Sequence, residues 1–137
     1  MMIAVAHVIT FRSARFDIAA EPVNPINPIA GESLLRWLGA HLQQSQYAAT
    51  TPRPEDWGWF IRVEADGASY LVGASGEADE SAPGAVAWTI QVHKHRSLKQ
   101  KLTGANKLTP DDRLSAMIER LVRQDADAVD VEADREG

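Results

Sequence analysis

The residues best equipped for chemistry stand in PEDWGW, residues 54–59. Glu55 and Asp56 run straight into Trp57 and Trp59, with Gly58 between the two rings. Adjacent carboxylates beside large apolar groups can have raised pKa values, and a carboxylate so poised can serve as a general base. Glu55 and Asp56 are therefore the candidate catalytic residues. Trp57 and Trp59 are candidate ligand-binding residues, since indole faces hold cationic or planar groups. A competing reading needs no ligand. Alternation places Trp57, Trp59, Ile61 and Val63 on one strand face, which makes both rings core, and leaves Gly58 on the other face.

The second constellation is basic. Between His93 and Lys107 lie Lys94, Arg96, Lys99, Lys101 and Lys107, with no acid. That segment carries +5, so the rest of the chain carries −10 of the net −5. Lys94, Arg96, Lys99 and Lys101 are candidates for binding an anion, a phosphate or nucleic acid, with Gly104 supplying flexibility. No aromatic is interleaved, which weighs against a stacked single strand. The alternative is a solvated loop whose lysines pair with the acidic tail.

His93 and His95 alternate onto one strand face, a spacing that can chelate a metal. Nothing local brings His7 or His41 to them as a third ligand, and Lys94 and Arg96 repel a cation, so no metal is assigned. Asn24-Pro25-Ile26-Asn27-Pro28 signals turn chemistry, in a polar connection that could line a cleft. The chain has no cysteine, Gly-rich phosphate fingerprint, nucleophile elbow, zinc-helix motif or calcium loop. No cofactor is expected.

The elements that must position these residues follow from periodicity. A strand is predicted over 3–11, with 16–20 extending it or pairing with it. A helix begins near Gly31 or Ser33, because Leu34, Leu35, Trp37, Leu38 and Leu42 share one face. Residues 50–54, with two prolines, read as a loop. Period-two stripes predict strands over 57–64, 69–75 and 86–92, joined by an Asp66-Gly67 hairpin and an acidic turn over 76–84. Residues 96–108 read as a polar connection. Thr109 is the predicted cap of a second helix, with Pro110 in its first turn and Leu114, Met117, Ile118, Leu121 and Val122 on its apolar face. A short last strand is expected over 128–131, with fraying from about 132. The sum is a single α+β domain over 1–137: a mostly antiparallel sheet of four to five strands with two helices packed on one face.

Taken together, the runs EPVNPINPIAGESLLRWL, PEDWGWFIRV, SYLVGAS and KHRSLKQKLTGANKLTPDD resemble an uncharacterised family of small bacterial proteins. NPINPIAGESLL and EDWGW are the most distinctive pieces, and the resemblance covers nearly the whole chain. It implies one compact cytoplasmic domain. No activity is established for that family, so it carries over no catalytic residue.

Bulk properties narrow the function classes. A length of 137 residues suits one domain with a real core, and 45% hydrophobic with 24% charged residues is globular composition. The net charge of −5 weighs against nucleic acid and anionic membrane and suits a basic partner. A chain without cysteines fits the cytoplasm, and the opening MMIAVAHVIT is too short to span a membrane and has no basic residue before its apolar run. The expectation is a non-catalytic cytoplasmic domain that binds a protein. The partner is a basic protein masked in the manner of an inhibitor, or a second copy met at an exposed sheet edge. The alternatives are an anion or nucleic-acid binder through 93–107, and a small enzyme using Glu55 or Asp56 as base.

Overall fold

Alternation of apolar and polar residues builds the sheet. In the computed structural model, which describes residues 6–79, 81–82 and 84–135, the strands are β1 (His7–Ser13), β2 (Ala48–Ala49), β3 (Arg53–Glu55), β4 (Gly58–Ala65), β5 (Ala68–Ala78), β6 (Val86–Lys94) and β7 (Ala128–Asp134). The helices are α1 (Glu32–Gln44), α2 (Leu98–Thr103) and α3 (Arg113–Gln124), with a 3-10 turn at Ile18–Ala20. All seven strands join one antiparallel sheet in the order β2-β4-β5-β6-β1-β7, with β3 also pairing β4.

This corrects the expected four to five strands. The extra strands carry no periodic signal. β2 and β3 are short, and β3 contains Pro54; they hold the free side of β4 through Ala49↔Val63 and Arg53↔Phe60. Residues 50–54 are therefore not simply a loop. β7 runs to Asp134 where fraying was expected from about 132, because Glu132 and Asp134 pair with Thr10 and Val8. Acidic, exposed residues look like a tail until the neighbouring strand supplies their ladder. The segment 16–20 turns as a 3-10 unit capped by Asp17 and does not extend β1. The polar connection contains α2, and α3 is capped by Asp112, not Thr109: the Asp112 carboxylate accepts from the Ser115 amide at 3.0 Å. Ile3, Ala4 and Val5 of the predicted first strand lie outside the described residues.

The core forms on one face of the sheet. Ile9 and Phe11 of β1, Trp59, Ile61 and Val63 of β4, Tyr70 and Val72 of β5, and Trp88, Ile90 and Val92 of β6 are buried. Leu34, Leu35, Leu38 and Leu42 of α1 and Leu114, Ile118 and Val122 of α3 join the same cluster. Each fully buried Leu or Ile contributes about 1.5–3 kcal/mol of transfer free energy, so these two helices are held by their stripes rather than by propensity. Phe16 seals one end, edge-on to both Trp88 and Trp37 with ring centroids 5.7 Å away.

Candidate functional site

The two most distinctive motifs meet in space. Asn24 is buried, and its Nδ2 donates to the carbonyls of Glu55 at 2.9 Å and Gly58 at 2.8 Å. Its Oδ1 accepts from the amides of Ile26 and Asn27. Asn27 donates to the Asp56 carbonyl at 2.8 Å, and the Trp59 indole N–H donates to the Ile29 carbonyl at 3.1 Å. The prolines withhold donors and keep this connection out of any regular ladder, so the asparagine side chains supply the bonds instead. Gly31 and Gly58 close on the same point: a Cβ on either would overlap the carbonyl oxygen of Ala74.

Glu21 completes the arrangement. α1 begins after Gly31, which has no side chain to cap it. The Glu21 carboxylate accepts from the amides of Gly31 at 3.0 Å, Glu32 at 3.2 Å and Ser33 at 3.0 Å, and from the Ser33 hydroxyl. A carboxylate there satisfies the orphan donors and the positive end of the helix dipole.

A groove opens beside this clasp. β5 continues past Ala74, its last residue with a partner on β4, to Ala78. The Gly76 amide donates to the Ala30 carbonyl at 3.0 Å. Continuing that antiparallel register would set Pro28 against Ala78, and proline has no N–H to offer. The backbones part there. The gap is a cavity of about 510 Å³ lined by Ile18, Val23, Pro28, Ile29, Glu21 and Glu77 among others. A second cavity of about 460 Å³ adjoins it through Ile18, Ala19 and Ala78, and is walled by Phe16, Val86, Asp17 and Asp79.

Asp17, Glu21, Glu77 and Asp79 thus line the two cavities, and among the described residues no basic side chain does. Asp79 is held below the usual carboxylate range, first by hydrogen bonds from Ser81 and then by Arg12, which stands 3.2 Å away and also reaches Asp130. Val23, at the groove's rim, is 83% exposed.

The residues singled out by sequence fall elsewhere. PEDWGW is a hairpin: Glu55 pairs with Gly58 across the two-residue turn Asp56-Trp57. Gly58, at φ 148°, breaks the alternation. Trp59 therefore joins the core, whereas Trp57 swings to the opposite face and lies where a Cβ of Gly73 would be. Glu55 is half-buried, Asp56 is exposed, and neither lines the groove. Their backbone carbonyls, not their carboxylates, receive the asparagine bonds.

The basic segment is divided. Lys94 lies over the Tyr70 ring with its Nζ 5.8 Å from the centroid. Arg96 donates to the carbonyls of Gln100 at 2.9 Å and Ala105 at 3.1 Å, closing the C-terminal end of α2. Lys99 and Lys101 are exposed. His93 is half-buried and bonded to Gln91, while His95 is exposed. His7 lies in the interior and His41 packs edge-on to Trp37, so the four histidines do not converge. Among the described residues no three His, Asp or Glu side chains are placed to hold a metal ion.

Sequence reasoning missed one cluster. His7 Nδ1 lies 2.7 Å from the Ser115 hydroxyl, and the Tyr70 hydroxyl donates to Asp112 at 2.7 Å. The pair imitates a nucleophile and its base. However, His7 and Ser115 are each 1% exposed, and the Asp112 carboxylate is engaged by Tyr70 and by the Ser115 amide, not by the imidazole. Burial pushes His7 below its ordinary pKa, against the opposing pull of Asp112. Burial, then the hydrogen bond to Asp112, pushes the Tyr70 hydroxyl up. This cluster pins α3 to β1 and β5. Only the aspartates before α3 signalled it locally.

No helix is long and apolar enough to cross a membrane among the described residues. The chain matches no protein-family model, no curated protein and no solved structure.

Proposed function

We propose that this protein is a non-catalytic binding domain whose acid-lined groove takes a basic, apolar-bearing segment of a protein partner, as small inhibitor proteins do. One observation carries the reading: Ile18 and Ile29, with Val23 at the rim, form an apolar surface edged by acids, of which Glu77 is exposed while Asp17, Glu21 and Asp79 are engaged at helix starts and with Arg12, and among the described residues no basic side chain lines it. Apolar burial supplies the affinity, at roughly 25 cal/mol per Å² of surface removed from water. The carboxylates supply encounter rate and discrimination against acidic partners.

An enzymatic role has less support, since among the described residues no histidine, lysine or hydroxyl nucleophile lines the groove and Glu55 and Asp56 stand outside it. The same reading places the protein in the cytoplasm, where a chain without cysteines relies on its packed core.

Calorimetric titration with a synthetic peptide of alternating lysine and leucine turns tests the reading, with a glutamate–leucine peptide as control. The lysine peptide is expected to bind, to weaken steeply as salt rises, and to shift the backbone amide resonances of Ala19, Glu77 and Ala78. Binding of both peptides alike, or shifts confined to other surfaces, would remove the groove from the account.

A further inference from the structure

We propose that the segment which fills the groove is helix α2 of a second copy of this chain, so that copies associate head to tail; the inference rests on the groove reading above. α2 is unusual within this fold. It buries none of its residues, and Leu98 and Leu102 are 74% and 79% exposed. Their i,i+4 spacing puts both on one side of the helix.

A helix this short has no stability of its own in water. The chain nevertheless holds it at both ends. Ser97 and Gln100 form a reciprocal capping box, Gly104 closes the far end in the left-handed conformation, and Arg96 bonds the Gln100 and Ala105 carbonyls. These hydrogen bonds preform a helix that presents two leucines to solvent between Lys99 and Lys101. Preorganisation of this kind lowers the ordering cost of an interface.

The groove is complementary in both respects. It offers Ile18, Ile29 and the rim residue Val23 to the leucines, and the exposed Glu77 to the lysines, within an acidic edge whose other members, Asp17, Glu21 and Asp79, are already bonded within the chain. The segment 93–107 carries +5 while the remaining residues carry −10, so opposite charges are segregated on one molecule. Nucleic acid would use the lysines but leave both leucines in water, and an acidic surface is already present on this chain.

One copy cannot satisfy itself. Lys94, which leads into α2, pairs with Tyr70 near the start of β5, while the groove lies at Ala78 at its other end. That separation is about 26 Å of extended strand. The interface is therefore heterologous, with one copy's helix in the next copy's groove, and each added copy leaves one helix and one groove open.

Sedimentation velocity of the full chain at low salt tests this with two variants. Leu98→Glu with Lys101→Glu disables the helix, and Glu77→Lys with Val23→Lys disables the groove. The unaltered chain is expected to sediment faster as concentration rises, and each variant alone to associate about tenfold or more weakly. An equimolar mixture of the two variants should form a heterodimer that grows no further, because it contains one intact helix and one intact groove. Association of the unaltered chain without complementation by the variants places the contact elsewhere and overturns the proposal. A chain that stays monomeric at every concentration also overturns it. If that monomer still binds the lysine–leucine peptide in its groove, the groove reading stands and only the second copy falls. Capture of the monomer by anionic vesicles, lost with Leu98→Glu, would give α2 a membrane partner instead.

Discussion

The two ends of β5 use the same kinds of polar residue to opposite effect. At the Tyr70 end, a histidine, a tyrosine, a serine and an aspartate are buried and bonded among themselves or to backbone. At the Ala78 end an apolar groove with room above it is edged by four acids, of which Glu77 is exposed and Glu21, Asp17 and Asp79 are bonded to helix starts, Ser81 and Arg12. The first group looks catalytic by composition and is closed to any ligand. The second has no catalytic composition and is open. Burial, more than residue type, decides whether polar chemistry is spent on the fold or offered to a partner.

The widest separation of the two ends comes from Gly58→Ala. A Cβ at φ 148° would overlap the Ala74 carbonyl and force apart the hairpin that Asn24 clasps. We expect a loss of about 3 kcal/mol or more by urea denaturation, with the groove lost as well. Asp112→Ala breaks the closed end alone. It removes the α3 cap and leaves the Tyr70 hydroxyl buried without its acceptor, for about 2–3 kcal/mol. Peptide binding at the groove should be unchanged in that variant, and a calorimetric loss there would mean that the ends are coupled.

A pH effect comes next in size. Burial holds both His7 and His93 below the ordinary value of 6.5, so the native chain takes these protons later than the unfolded chain does. As pH falls through 6.5 the unfolded state gains protons that the native state refuses, and stability declines. The urea midpoint should therefore drop between about pH 7.5 and about pH 5.5, and less so in His7→Gln. A midpoint rising on acidification would contradict the burial of His7. The smallest effect on stability belongs to Glu77→Lys, an exposed position where a change within about 0.5 kcal/mol is expected. Calorimetry should nevertheless show the lysine peptide losing most of its salt-sensitive affinity.

Much of the fold was legible in short stretches. The stripes at Ile61 and Val63, at Val86 through Val92, and at Leu34 through Leu42 lie where periodicity puts them. The site was not legible. Trp57 was expected beside Trp59, because alternation presumes an unbroken strand; the positive φ of Gly58 turns the chain first. The acids of PEDWGW drew attention, yet the acids of the groove lie scattered at 17, 21, 77 and 79. The exposure of Leu98 and Leu102 had no signature either, since an apolar pair on a short helix reads the same whether covered or bare.

The amino-acid order alone determined the long central strands β4, β5 and β6 and the two long helices, but not β2, β3 or the end of β7. Side-chain alternation and the 3.6-residue period are local, and each stripe demands a buried face. Only the tertiary structure decided which polar groups meet. Asn24 reaches across to the carbonyl of Gly58, Glu21 to the start of α1, and His7 to Ser115 near the other end of the chain. Those pairings depend on strand order and register, set by the whole core as it closes. No local pattern can encode a contact whose two halves are brought together only when every other element has packed.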